Sequence, residues 1–155
     1  MPPSSSRPSS SIALPGEPDK VEVASFALPG VVTVPRHVRA RRVRGAIRAE
    51  VAALFGGLTA EVVETVPERP DEASRAAARW FMLAEASDRS GRTVRGEVTG
   101  TDAYGTTAVL AVEGARRLVA DGAPAGTRAP AEAFDPADLL GFLAAAGASW
   151  RVEAA

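Results

Sequence analysis

The sequence predicts an α+β fold: an antiparallel or mixed sheet covered by helices, with a disordered N-terminal tail over 1–19 and one domain over 20–155. Three observations carry this. Short Val-, Phe- and Trp-containing segments recur at 20–38, 79–100 and 149–153 with strand-like patterning. Between them lie segments with helix-spaced apolar residues, opened by Asp or Thr and closed by Gly or Pro. The composition, 46% apolar and 24% charged over 155 residues, is that of a globular chain able to bury a core. Strands flanked by helices, with one clear hairpin, describe an α+β layer.

Taken in order, "MPPSSSRPSSSIALPGEPD" is serine- and proline-rich and lacks acids until Glu17. It has neither the charged start nor the apolar run of a secretory signal, and reads as a disordered tail. "KVEVASFALPGVVTVPRHV" (20–38) is cut by Pro29, Gly30 and Pro35 and predicts two short extended segments, at a sheet edge or crossing a surface. In "ARRVRGAIRAEVAALFGGL" (40–58), Val43, Ile47, Val51, Leu54 and Leu58 fall on one helical stripe, and Gly56 and Gly57 suit its end. "TAEVVETVP" (59–67) predicts a short helix capped by Thr59 and stopped by Pro67; "PDEASRAAA" (70–78) predicts another, favoured by early acids. "RWFMLAEA" (79–86) and "TVRGEVTG" (93–100) are strands of a hairpin around "SDRSGR". Asp102 then caps a helix whose stripe is Ala108, Ala111, Val112, Ala115 and Val119, ending at Gly122 and Pro124. A connector (123–134) leads to a helix with Asp135 as cap, Pro136 at its first position and Gly147 as terminator. "SWRVE" (149–153) returns as a strand with Trp150 and Val152 toward the core.

Composition excludes several functions. Eighteen basic against 19 acidic residues leave a net charge of −1, so no overall field favours nucleic acid or an anionic membrane. With no cysteine, disulfides, thiolate metal sites and cysteine nucleophiles are excluded, and a reducing, cytoplasmic compartment is the expectation. His37 is the only histidine, so a multi-histidine metal site is excluded too. No apolar run approaches the length of a membrane span.

Four stretches invite a chemical reading. "VTGTDAYGTTAVLAVEGARRL" (98–118) places Gly100 and Gly105, with Gly96 just before it, near a helix start. The spacing is not the G-x-G-x-x-G of a pyrophosphate cradle, and Lys20, the sole lysine, belongs to no P-loop. This corner is either a capped turn or a substrate-facing wall. Arg36, Arg39, Arg41, Arg42, Arg44 and Arg48 cluster without interleaved aromatics, which fits a solvated face or an arginine reaching an anionic substrate better than nucleic acid. His37 is a candidate general base, with no carboxylate to orient it in the local pattern. Glu85 and Glu97 can face each other across the hairpin, as solvated surface acids.

The elements Gly100, Asp102, Tyr104, Gly105, Thr107 and Ala108, followed by Gly126 and Pro130, give G-x-D-x-Y-G-x-T-A entering a helix and then G-x-x-x-P before a closing helix. In this pattern the chain resembles the C-terminal half of the saccharopine dehydrogenase-like family, particularly its trans-acting enoyl reductase members. The likeness spans about 20–153, is specific mainly over 98–143, and extends to "TVPRHV" (33–38). It implies an NAD(P)-dependent oxidoreductase architecture in which a Rossmann domain holds the dinucleotide and the following α+β part shapes the substrate site and the dimer contact. Only that second part is matched. The resemblance therefore implies no cofactor residue and no cofactor bound by this chain alone. It implies a separately encoded Rossmann-domain subunit, or a shortened gene product, together with a homodimer contact. The substrate-binding candidates are Asp102, Tyr104 and Thr106, from their place at the helix entry, with Arg36 and His37. The alternative is a stand-alone non-enzymatic ligand-binding or dimerisation module.

Overall fold

The structure, a computed structural model, describes residues 10–14, 16–122 and 125–154. It is α+β, with seven α-helices and two three-stranded antiparallel sheets among those residues. The chain divides into two compact units, Met1–Glu68 and Arg69–Ala155.

In the first unit, β1 (Ser10–Ala13) pairs with β2 (Lys20–Ser25), which pairs with β3 (Ala46–Arg48). The expected tail therefore contains a strand from Ser10, where Ser10 and Ile12 lie opposite Val23 and Val21; residues 1–9 lie outside the described residues. Among the described residues of this unit, Leu14 and Val23 have buried side chains. The second of the two expected extended segments is helical instead. Gly30–Thr33 forms α1 and Val34–Arg36 a 3-10 turn, with Pro29 and Pro35 at the starts of turns, where a missing N–H costs nothing.

The long helix expected over 40–58 is a second correction. Residues Ala46–Arg48 join the sheet opposite Ser25, Ala24 and Val23, and helix begins only at α2 (Ala49–Gly56). The reason lies at Gly45, which is buried with its carbonyl accepting from Phe26 N–H at 2.9 Å. A Cβ there would come within 2.5 Å of the Phe26 carbonyl oxygen, so only glycine permits this approach. Pairing with β2 overrides the helical spacing of Val43 and Ile47, and Leu54 and Leu58 are exposed. Phe26 and Phe55 rings, 5.4 Å between centroids, tie the end of β2 to α2. Arg48 binds Glu17 and lies 3.6 Å from Glu50. Helix α3 (Ala60–Thr65) starts as expected, its cap Thr59 accepting from Val62 N–H.

The second unit opens with α4 (Glu72–Ala77), capped by Asp71. The hairpin is β4 (Arg79–Ser87) and β5 (Thr93–Thr101), extended on its far side by β6 (Ser149–Ala154) in the order β4-β5-β6. Asp88 organises its loop, accepting from the Ser90 and Arg92 N–H groups and the Arg92 guanidinium. Helix α5 (Ala103–Asp121) follows β5, α6 (Pro130–Ala133) forms within the expected connector, and α7 (Pro136–Ala145) precedes β6.

Helix α7 obeys both of its sequence signals. Asp135 accepts from Asp138 N–H at 2.9 Å, and Pro136 opens the first turn. At the other end Gly147, at φ 101°, lets Gly147 N–H reach Ala144 O and Ala148 N–H reach Leu143 O, closing a Schellman motif. Replacing Asp135 by Ala should cost about 1 kcal/mol, read as a lower urea midpoint with an unchanged slope.

Helix α5 presents a different face inward from the one its apolar spacing predicts. Val112 and Val119 are exposed, and Glu113 is buried at 7% exposure. Glu113 accepts from Arg116 and Arg117, Arg117 also binds Asp138, and its guanidinium lies 5.9 Å from the Phe142 ring centre. Gly114 lies against the Phe134 ring. Charged pairing, not the Ala/Val stripe, thus marks the inner face of this helix.

Candidate functional site

Strand β5 passes directly into α5 through Asp102. Asp102 sits in the left-handed region at φ 47°, ψ 74°, the only non-glycine residue with positive φ among those described. Such a backbone costs an ordinary side chain about 1 kcal/mol, and aspartate is one of the few residues that tolerate it. Strain of this kind persists where surrounding bonds enforce it. Here Asp102 N–H donates to Ala78 O at 3.0 Å, and Asp102 O accepts from Thr106 N–H at 2.9 Å. The carboxylate Oδ1 accepts from Gly105 N–H at 2.9 Å, the helix cap expected from the sequence. A Cβ at Gly105 would stand 2.5 Å from Oδ2, so glycine at this position holds the carboxylate against the helix.

This bend walls a cavity of about 220 Å³. One side is Gly100, Thr101, Asp102, Gly105, Thr106 and Val109; the other is the C-terminal end of α7 and its Schellman turn, Leu143, Ala146, Gly147 and Ala148. Thr106 Oγ1 donates to Thr101 O at 3.2 Å and Thr107 Oγ1 to Ala103 O at 2.7 Å, fixing both hydroxyls on the first turn. Among the described residues Oδ2 of Asp102, which lies against Gly105, accepts no hydrogen bond.

Of the sequence candidates, Asp102 and Thr106 line this one cavity. Tyr104 is 65% exposed and outside its lining. Arg36 and His37 belong to the first unit, at the end of the 3-10 turn, and both are exposed. Arg39, Arg41, Arg42 and Arg44 are exposed as well. Glu85 and Glu97 do not face each other: Glu85 lies opposite Arg95 and Glu97 opposite Leu83, and Glu97 binds Arg151. The lining from α7, with Val109, was not singled out by sequence; the only readable sign was Gly147, as a helix terminator. No group of three or more His, Asp or Glu side chains able to hold a metal occurs among the described residues. No helix of the described residues is long and apolar enough to cross a membrane.

No protein-family model matches the chain, and neither a curated protein nor a solved structure matches it.

Proposed function

We infer that the chain is the substrate-binding and dimerisation portion of a saccharopine dehydrogenase-like, NAD(P)-dependent oxidoreductase, working in the cytoplasm with its dinucleotide held by a separate Rossmann-domain subunit. The observation that carries this reading is where the family-like residues fall in space. Gly100, Asp102 and Gly105, distant from any chemistry in a mere helix cap, wall a cavity together with Thr106. The geometry supports a binding wall over a plain corner because the carboxylate is held by one oxygen only, at a strained residue. Both sheets are antiparallel, the architecture of an α+β substrate part; a dinucleotide-binding half is built on parallel strands. In this role Asp102 receives an amine or hydroxyl of the substrate, the first turn of α5 positions it, and the partner subunit supplies hydride transfer.

The test is an amide-resolved NMR titration of the chain with saccharopine and, separately, with a short enoyl thioester. Saturable shifts centred on Gly105, Thr106, Gly147 and Ala148 are expected from one of them. Shifts scattered over both units, or none with either compound, would overturn the substrate assignment.

A further inference from the structure

In the second sheet the register confines the charged residues to one face, which Phe81 and Leu83 share. The even-numbered face carries Trp80, Met82, Val94, Val98, Trp150 and Val152 with small Ala and Gly residues between them, and no charged side chain. All of its charges lie on the odd-numbered face. A face patterned this way is normally buried. Yet Met82 is 69% and Val152 59% exposed, so the expectation that Trp150 and Val152 point into a core is not met within this chain. At one margin of this sheet runs β6, whose six residues are all exposed and whose ladder partner among the described residues is β5. It has no proline and no lysine, the residues that commonly block an open edge.

We propose that the occupant of this edge is β6 of a second copy of the chain, paired antiparallel about a two-fold axis through Val152. Overlap and charge together select this register: of the axes through β6, only those at Arg151 and Val152 pair five of its residues. Directly opposite residues in an antiparallel ladder share a face, so the axis must pass through a residue of β6. An axis at Arg151 sets arginine against arginine, and one at Glu153 sets glutamate against glutamate, both destabilising. At Val152, Arg151 meets Glu153 of the second copy, Trp150 meets the small Ala154, and Val152 meets itself.

The complementarity continues inward. Glu97 already lies beside Arg151, and Arg95 beside Glu153, within each sheet. Across the axis the odd face therefore reads Glu97, Arg151, then Glu153 and Arg95 of the second copy, alternating in sign at every step. The even faces meanwhile merge into one apolar surface spanning six strands. This deepens the dimerisation part of the function inferred above and is independent of the cavity at Asp102.

The chain has no cysteine, which makes the test clean. Opposed residues at the axis have Cα atoms about 4.5–5.5 Å apart, within disulfide reach. The wild-type chain should sediment at twice its 16.0 kDa mass. Val152→Cys should cross-link to a disulfide dimer under mild oxidation, whereas Ser149→Cys and Met82→Cys should not. Arg151→Glu and Glu153→Arg should each halve the mass on their own, and an equimolar mixture should restore the dimer, because only the heterodimer sets opposite charges at both 151–153 contacts across the axis. A monomeric wild type overturns this pairing and the dimerisation reading together. A dimer that Met82→Cys traps and Val152→Cys does not, or one that survives both charge variants, overturns the pairing alone.

Discussion

Replacing Asp102 by Ala should lower stability by about 2 kcal/mol, about half from the lost cap and half from forcing alanine into the left-handed region. Asp102→Gly should cost only a few tenths, since glycine adopts this backbone freely and tolerates the cap position. Asp102→Asn keeps both the bond to Gly105 N–H and the tolerance of positive φ, and should lie near wild type. Urea midpoints of the three variants test this order; alanine as stable as glycine would show that the bend at 102 carries no strain. The glycine variant then serves function. It is folded but lacks a carboxylate, and should bind substrate at least about tenfold more weakly, the loss of one charge-assisted hydrogen bond.

The second large effect concerns Glu113. Hydrogen bonds from Arg116 and then Arg117 hold its carboxyl at about 2, well below the ordinary 4.5. A value depressed in the folded state means the ion pair contributes its full stability above the ordinary value. That contribution is lost as pH falls from 4.5 through about 2. Glu113→Gln should therefore destabilise the chain at neutral pH by leaving Arg116 without its carboxylate and Arg117 with Asp138 alone. The gap between variant and wild type should then close through the acid range. Thermal midpoints measured across that range check the sign; a gap that widens toward acid would contradict it. Asp88, also held at about 2 by Ser90 and then Arg92, keeps its own acid dependence in both proteins.

Local signals were the legible part of this fold. Thr59, Asp102 and Asp135 cap the helices they precede, Gly147 ends α7, and the hairpin occupies its expected place. Each of these is written in a few adjacent residues. Periodicity was less dependable, because it registers apolar spacing without saying what covers it. The stripe through Val43 and Ile47 yields to strand pairing with β2 at a contact only Gly45 allows. In α5 the stripe through Val112 and Val119 is real but faces outward, while Glu113 and Arg117 face inward. The spacing of Glu113 to Arg116 and Arg117, three and four residues, was the readable sign of that network. Half of the cavity was hidden for a different reason: Leu143, Gly147 and Ala148 reach Asp102 only through the packing of α7 beside α5, which no local pattern encodes.

The claim on which the functional account stands is that this chain binds substrate and relies on another subunit for the dinucleotide. Calorimetric titration of the purified chain with NADPH, alone and then with a Rossmann-domain partner present, tests it most directly. No saturable heat is expected from NADPH with the chain alone, and binding is expected once the partner is added. Stoichiometric binding of NADPH by the isolated chain would contradict it.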